Sequence, residues 1–348
     1  MQDFDLFFLL VLGAPIGLLL ALLQLRKHRK SLLNSRFGVA VWNLVLLMFL
    51  LSSIFLFAES YYRFFVDTTD SFALNKVTRR WAKRHYRKNN VGVRDNIDYS
   101  YLVEPGKRRL TIIGDSFTAG HGVKNVDERF GNLLREQFPS IEVHVLGTNG
   151  FETIDELERL TKIVNEGYQL DLVLLVYCLN DISYLVEQSQ QVYKQMSEFD
   201  ESLGYLARNS YFLNTFAFRM MARSNPNVTD YYHFLKGSYS GKTWKTHQNV
   251  LKNLNSLVDR NDGSLAVATV PFLHNLKQYE FSDAHKTLNA FWDSEGVGNL
   301  DLLPVLQLKE SASLVVNEYD AHPNENAHQL IAKSLKPFIV EQLELTAK

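Results

Sequence analysis

Two uncharged apolar runs stand at the start of this 348-residue chain and constrain its fold more than any other feature. The first is the twenty residues 6–25, and the second is the twenty-two residues 37–58. A helix needs about 20 apolar residues to cross the hydrocarbon core of a bilayer, so each run is long enough to span it. The core helix of a soluble protein normally keeps a polar face, and neither run has one. We therefore predict two transmembrane helices within residues 1–58.

A cleaved signal peptide is the alternative for the first run. The chain begins Met-Gln-Asp-Phe-Asp, which is acidic where a signal peptide is basic, and no small-residue cleavage site follows. We therefore expect the helix to be retained. The loop between the runs is basic, whereas the N-terminal tail has no Lys or Arg; the basic loop residues are Arg26, Lys27, Arg29, Lys30 and Arg36. The positive-inside rule places this loop in the cytoplasm and both chain ends outside it.

Aromatic and basic residues follow the second run. The aromatic ones, which fit an interfacial belt, are Tyr61, Tyr62, Phe64 and Phe65. A basic cluster then lies too far from the membrane to weigh heavily on topology: Lys76, Arg79, Arg80, Lys83, Arg84, Arg87 and Lys88. Such a cluster is most often a solvated helix face, and its more specific interpretation is contact with anionic lipid or an acidic polymer. We expect the lipid bilayer as a partner and the remaining chain on the periplasmic or extracytoplasmic side.

Composition excludes several classes of protein. The chain has 37 Lys+Arg against 38 Asp+Glu, a net charge of -1, which excludes a basic nucleic-acid-binding domain. Cys178 is the single cysteine, which excludes an internal disulfide framework and a Cys-rich metal site. Residues 59–105 are polar and basic, with breakers at Asn89, Asn90 and Gly92, and we predict a connector there.

From about residue 108, short β-branched runs alternate with stretches of helical periodicity. The predicted strands are 110–113, 141–146, 170–177 and 264–270, and the predicted helices include 155–166 and 327–343. This alternation predicts a parallel, doubly wound sheet in one domain, residues 106–348. Residues 185–260 fit it least, and 211–221 are crowded with Phe and Met. We favour a core-packing helix in an insertion there, with a lid or acyl-chain wall as the alternative.

The strongest local motif is Gly114-Asp115-Ser116-Phe-Thr118-Ala-Gly120, directly after the first predicted strand. Ligands of open α/β sheets bind at the carboxyl ends of strands, so this serine is well placed for chemistry. A P-loop would need a Gly-Lys-Ser/Thr that is absent, and a nucleophile elbow would need glycine where Thr118 stands.

Three further polar blocks follow at positions that the same sheet edge would bring together. They are 147–150 after the second strand, 178–181 after the third, and 320–324 just before the last helix. With the serine, they supply a hydroxyl nucleophile, an imidazole base, a carboxylate and donors for an oxyanion. Those are the groups that acyl transfer requires.

The four blocks together resemble the SGNH/GDSL hydrolase family, whose fold is a flavodoxin-like three-layer α/β/α arrangement with a parallel sheet. The resemblance covers roughly residues 89–345, and 89–95 is similar to a lead-in found before the catalytic domain of many bacterial members. It implies Ser116 as nucleophile, His322 as base and Asp320 as the acid that orients it. It also implies an oxyanion hole made by the N–H groups of Ser116 and Gly150 and by the Asn180 amide.

Some positions depart from the family pattern or have plainer interpretations. Cys178 stands at the usual glycine of the third block, and we interpret it as a small buried hydrophobe. One residue, where the family often has two, separates Asp320 from His322. Asp181 is interpreted as the cap of the next helix. Several histidines lack metal-ligand spacing and are assigned ordinary structural or surface roles: His121, His144, His274, His285 and His328.

The sequence therefore predicts a membrane-anchored serine ester hydrolase that cleaves an acyl ester, of a lipid or an acetylated glycan, outside the cytoplasm. It predicts no cofactor, no metal and no nucleic-acid partner. One alternative is an O-acyltransferase acting on envelope polysaccharide, which would use the same residues. The other is a non-catalytic binding domain, against which the intact Ser116, Asn180 and His322 argue.

Overall fold

The structure is a computed structural model that describes residues 4–28, 30, 34–72 and 74–345; Arg29 of the predicted basic loop lies outside them. The chain forms two compact units. The first comprises Met1–Asp67, Asn75–Arg80 and Glu198–Ala222, and the second comprises Thr68–Leu74, Trp81–Ser197 and Arg223–Lys348. Residues 68–74 and 81–105, which lie in the predicted connector, belong to the second unit.

Five parallel strands form the central sheet of the second unit, in the order β2-β1-β3-β4-β5. Their bounds are β1 Arg108–Gly114, β2 Ile141–Gly147, β3 Leu172–Cys178, β4 Ser264–Val270 and β5 Gly298–Asp301. The parallel α/β architecture and the four predicted strands are confirmed. The fifth strand was not predicted, because its sequence Gly-Asn-Leu-Asp has no apolar run and its residues are only half-buried.

Helices flank this sheet. Helical segments of the whole described chain are α1 Leu6–Lys27, α2 Arg36–Ser60, α3 Lys76–His85, α4 Ser116–Ala119, α5 Phe130–Gln137, α6 Thr153–Asn165, α7 Glu187–Ser197, α8 Phe199–Ser202, α9 Tyr205–Asn209, α10 Tyr211–Ser224, α11 Pro226–Thr229, α12 Tyr231–Lys236, α13 Gly241–Asp259, α14 Ser282–Ser294, α15 Leu303–Leu306 and α16 Glu325–Leu345. The α5 helix packs against β2 and α16, and α6 packs against β1 and α13. The helices predicted at 155–166 and 327–343 are confirmed as α6 and α16.

The sheet register brings the ends of three strands level. Gly114 of β1 pairs with Gly147 of β2, and it pairs with Val176 of β3 on the other side. All seven residues of β3 are buried, as expected for a strand covered on both faces. The residues that follow β1, β2 and β3 therefore emerge at one edge of the sheet, where ligands of open α/β sheets bind.

A small antiparallel hairpin precedes the last helix. Its strands are β6 Val315–Asn317 and β7 Asp320–Pro323. The sequence analysis did not predict this hairpin, because each strand is too short to carry a periodic pattern. It contains two of the predicted site residues, Asp320 and His322.

The first unit contains the two apolar helices. Helices α1 and α2 contact each other, and a π-helical turn, Tyr61–Phe65, continues α2. Both are long and apolar enough to cross a membrane, with mean hydropathies of 2.8 and 2.4 over their most apolar windows. Length and composition alone are weak evidence for spanning, since signal sequences have them as well.

A charge cluster, in which Glu59 and Arg63 are buried and Asp5 is partly exposed, joins the start of α1 to the end of α2. The Arg63 guanidinium lies 2.9 Å from Glu59 and 3.0 Å from Asp5, the residue that caps α1. Glu59 also accepts hydrogen bonds from the Ser210 hydroxyl at 2.5 Å and the Tyr211 backbone N–H at 3.0 Å. The start of α10 is therefore fixed by a carboxylate at the end of α2.

Residues 211–221, interpreted as a core-packing helix, form a helix that is only partly buried, with Phe218 2% exposed. The helix exists as α10, but Phe216 is 54% exposed and Met220 is 51% exposed. Its residues up to Ala222 belong to the unit of the apolar helices. An apolar sequence alone could not distinguish this location from a domain core.

Candidate active site

The serine turn begins where β1 ends. A Cβ on Gly114 would lie 2.3 Å from Thr118 Oγ1 and 2.7 Å from a backbone oxygen of β3, so a larger residue would not fit there. The Asp115 carboxylate then caps α4 by accepting the Phe117 N–H at 2.8 Å. This turn places Ser116 at the first position of α4, half-buried at the carboxyl edge of the sheet.

Three predicted residues form a continuous chain of hydrogen bonds. Ser116 Oγ lies 2.8 Å from His322 Nε2, and His322 Nδ1 lies 2.5 Å from Asp320 Oδ1. The same carboxylate oxygen accepts the backbone N–H of His322 at 3.1 Å. Hydroxyl, imidazole and carboxylate are thus in the order of a Ser-His-Asp triad, although Ser116 lies 206 residues from His322 in the chain.

The negative charge of Asp320 and the positive charge of protonated His322 stabilise each other. Burial alone would lower the pKa of His322, but the negative charge and hydrogen bond of Asp320 outweigh it and raise that pKa above its usual value. Burial alone would raise the pKa of Asp320, but the charges and hydrogen bonds of His322 and His121 hold it well below its usual range. Asp320 is therefore ionised at neutral pH, as a group that stabilises an imidazolium must be.

The two other predicted donors lie on neighbouring loops of the same edge. The Asn180 Nδ2 atom donates to Asp115 Oδ2 at 3.3 Å, so Asn180 is held next to the serine turn. Gly150 follows β2 in the left-handed conformation, with φ +78°, and an added Cβ would have no atom within 4 Å. Glycine is thus favoured at position 150 by its backbone conformation rather than by packing.

Two residues that the sequence analysis did not assign to the site contact Asp320. The Thr69 hydroxyl donates to Asp320 Oδ2 at 2.5 Å, and His121 Nε2 lies 3.4 Å from the same oxygen. Of the structural or surface role that was predicted for His121, the surface part does not apply, because His121 is buried and its ring lies 4.5 Å from that of His322. Its position between Gly120 and Gly122, directly after the serine turn, was the available signal.

The lead-in at 89–95 supports the loop that follows the serine turn. Arg94 is buried and donates to the carbonyl oxygens of Gly120 at 2.5 Å and Val123 at 2.6 Å. The adjacent Asp95 lies 2.9 Å from Arg129 and 2.7 Å from Arg135. A buried guanidinium that satisfies loop carbonyls explains why a segment outside the sheet is part of this domain.

The sequence analysis also interpreted Cys178, Asp181 and His144, and the structure shows the surroundings of each. Cys178 is fully buried, as predicted. Asp181 does not cap a helix; its carboxylate accepts the Cys178 N–H at 3.0 Å and closes the turn after β3. His144 stacks on Tyr99, with ring centroids 4.0 Å apart, which fits the structural role that was predicted.

The ligating atoms of His121, Asp320 and His322 lie within 4.8 Å of one another and could geometrically hold a metal ion. Asp320 and His322 are already joined by the hydrogen bond of the triad, so a metal would have to replace the proton between them. The arrangement therefore favours proton transfer.

A cavity of about 540 Å³ lies at the opposite edge of the sheet, lined by residues such as Lys107, Asp171 and Asp262, and none of the four blocks lines it.

This chain is similar to several solved structures. They include a lipolytic protein of the G-D-S-L family from Veillonella parvula, 12% identical, with a TM-score of 0.40 over 65% of this chain and 95% of that one. A catalytic mutant of Axe2, an acetylxylan esterase from Geobacillus stearothermophilus, is 14% identical, with a TM-score of 0.40 over 68% and 96%. The esterase EstA from Pseudoalteromonas sp. is 16% identical, with a TM-score of 0.41 over 68% and 100%.

The search of curated proteins finds no match. The family profile described as GDSL-like lipase/acylhydrolase matches residues 110–335, which is more than half of the chain and contains all four blocks. The chain belongs to the GDSL-like lipase/acylhydrolase family.

Proposed function

We propose that this chain is a membrane-anchored serine ester hydrolase that cleaves an acyl ester, of a lipid or an acetylated glycan, outside the cytoplasm. The observation that carries the proposal is the hydrogen-bonded chain from Ser116 through His322 to Asp320, with its 2.8 Å and 2.5 Å contacts. Family membership supports ester hydrolysis as the reaction class. The assignment of individual roles is our proposal.

In the first half of the reaction, Ser116 Oγ attacks the ester carbonyl carbon while His322 Nε2 takes the hydroxyl proton. Asp320 holds the imidazole so that Nδ1 carries a proton and Nε2 can accept one, and it stabilises the imidazolium that forms. The carbon–oxygen bond to the leaving alcohol then breaks, and His322 returns the proton to that oxygen. The product of this half is an acyl group on Ser116.

In the second half, water repeats the same sequence in place of the serine hydroxyl. His322 accepts a proton from water, the resulting hydroxide attacks the acyl carbon, and Ser116 leaves with the proton returned by His322. Negative charge develops on the carbonyl oxygen in both halves. The N–H groups of Ser116 and Gly150 and the Asn180 amide are the proposed donors, and Asp115 holds one Asn180 N–H so that the amide is oriented.

The first unit, which contains the helices α1 and α2, supports a membrane location with the catalytic residues outside the cytoplasm. Helices α1 and α2 expose uncharged apolar side chains along their length, as lipid-facing helices do. The charge cluster of Asp5, Glu59 and Arg63 joins the start of α1 to the end of α2, and these ends lie opposite the basic loop. With that loop in the cytoplasm, the segment after α2 continues on the outer side.

Hydrolysis of a p-nitrophenyl ester series, from acetate to octanoate, tests the proposal on the full chain in detergent. We compare wild type with Ser116→Ala and with Ser256→Ala, which removes an exposed hydroxyl on α13 as a matched control. Turnover that is lost only in Ser116→Ala supports the proposal. Equal turnover in wild type and Ser116→Ala refutes the serine mechanism.

A further inference from the structure

The Asp320 carboxylate is fully buried, and both of its oxygens are occupied. Oδ1 accepts the Nδ1–H and the backbone N–H of His322. Oδ2 faces the Thr69 hydroxyl at 2.5 Å and His121 Nε2 at 3.4 Å. The Thr69 hydrogen bond and the His121 contact come from two other parts of the chain, and together they restrict rotation of the carboxylate about its own side-chain bonds.

Thr69 belongs to residues 68–71, which we call the strap. The strap directly follows Asp67, where the first segment of the unit that contains α1 and α2 ends. The strap itself belongs to the unit that contains the central sheet. The Ser71 N–H donates to the Tyr319 carbonyl at 3.0 Å, and the Asn317 side chain donates to the Thr69 carbonyl at 2.8 Å. The strap is therefore bound along the β6–β7 hairpin that contains Asp320.

Gly122 permits the close approach of the strap. It has φ +87°, and a Cβ on it would lie 3.0 Å from Thr69 Oγ1 and 2.3 Å from Val316 Cγ2. Even an alanine at this position would therefore be strained in its backbone and would press on the strap. The loop after the serine turn and the strap are thus packed in direct contact beside Asp320.

The hydrogen bonds of His121 define which of its nitrogens carries the proton. Burial and the charge of His322 lower the pKa of His121, so its ring is neutral at pH 7. The Asn149 side-chain amide donates to His121 Nδ1 at 3.0 Å, which leaves the proton on Nε2, the atom that faces Asp320. His121 is therefore a neutral ring held by the loop that carries Gly150, and its Nε2 atom lies 3.4 Å from Asp320 Oδ2 without meeting hydrogen-bond geometry.

We propose that Thr69 and His121 are positioning residues that fix the Asp320 carboxylate against His322. The strap, which follows the helices α1 and α2 in the chain, thereby supplies part of the active site. This inference rests on the proposed triad, in which Asp320 orients the base. It also assigns a catalytic consequence to the strap, which lies outside the matched family region of residues 110–335.

A double-mutant cycle on the full chain in detergent tests the inference, with p-nitrophenyl acetate as substrate. Thr69→Val removes the hydroxyl at nearly constant volume, and Thr69→Ser keeps it. A hydrogen bond to a charged group predicts a loss of about 10- to 100-fold in kcat for Thr69→Val, with KM unchanged and with Thr69→Ser close to wild type. In an Asp320→Asn background, Thr69→Val should cause no further loss, because the residue it acts through is already altered.

Three results would overturn the inference: wild-type kcat in Thr69→Val, an equal loss in Thr69→Ser, or the same fold-loss with and without Asp320→Asn. The last two indicate a general structural role of the strap. His121→Phe provides an independent second variant, with the same cycle, should Thr69→Val fail to fold. Full activity of Ser116→Ala would instead refute the proposed function itself, so the two failures are distinguishable.

Discussion

Replacing Asp320 by asparagine tests the electrostatic part of the site most sharply. The carboxylate accepts two donors on Oδ1 and faces two more on Oδ2. An asparagine offers one oxygen and one NH₂ group in the same space. If the NH₂ group takes the Oδ1 position, it opposes both N–H donors of His322. If it takes the Oδ2 position, it opposes the Nε2–H of His121, while the Thr69 hydroxyl can rotate to accept.

Both orientations lose the negative charge that stabilises the imidazolium, and each leaves at least one N–H donor facing an NH₂ group. Loss of this charge in a Ser-His-Asp site typically lowers kcat by about 10⁴-fold. That factor corresponds to about 5 kcal/mol of transition-state stabilisation. We therefore expect kcat of Asp320→Asn to fall by about 10³- to 10⁴-fold, with KM changed little.

The pH profile provides a second, independent readout of the same change. His322 must be neutral to act as a base, so kcat/KM is lost as the pH falls through its pKa. In wild type, Asp320 raises this pKa, so the acidic limb should lie above 6.5, the ordinary value. In Asp320→Asn, burial dominates and lowers the pKa of His322, so the limb should move to lower pH.

The matched control is Asp127→Asn, an exposed aspartate near α5, which should leave both rate and profile unchanged. A rate within tenfold of wild type in Asp320→Asn, with the acidic limb unmoved, would refute the reasoning. A limb that moves to higher pH would refute the sign of the charge effect.

Three further predictions concern the oxyanion, the lead-in and the topology. Asn180→Ala should lower kcat by about 10²- to 10³-fold without unfolding the chain, checked by kinetics and circular dichroism. Asp95→Asn should lower the free energy of unfolding by about 3–5 kcal/mol in denaturant titration, because it leaves the buried Arg129 and the partly buried Arg135 without their carboxylate. Arg135 and Arg129 overcome burial and lower the pKa of Asp95 to about 2, so wild type should lose about 2 kcal/mol of that stability as the pH falls from about 4 to 2. Ser256→Cys should react with an impermeant maleimide in right-side-out vesicles, against a low background from buried Cys178; reaction only after lysis would contradict the outward orientation.

Much of the sheet and of the triad could be predicted because their signals are local. The strand β3 is a nearly continuous apolar run, and the polar blocks follow strands directly, so parallel pairing alone brings Ser116 and Asn180 to one edge. His322 and Asp320 are separated by one residue and could be recognised as a pair. The roles of Ser116, His322 and Asp320 were implied by the family resemblance of their blocks, because the sequence alone does not show that Ser116 meets His322.

The features that escaped prediction depend on how distant loops approach each other. Thr69 lies 251 residues from Asp320 in sequence, and no periodicity links the two. His121 gains its role from Asn149 and Asp320, which come from two other elements. The packing of α10 depends on its capping by Glu59, a charge at the end of an apolar helix. In each case the side chain is positioned by contacts with residues that are distant in sequence, and the local sequence pattern does not predict such contacts.

The central claim is that Ser116 is a nucleophile activated by His322, and labelling with a fluorophosphonate ester tests it most directly. An activated serine displaces fluoride from such a reagent and forms a stable phosphonyl adduct. The account predicts one adduct per full-length chain, located on the peptide containing Ser116, absent in Ser116→Ala and formed far more slowly in His322→Ala. Labelling of equal extent in wild type and Ser116→Ala, or no labelling of a folded, full-length chain, would contradict it.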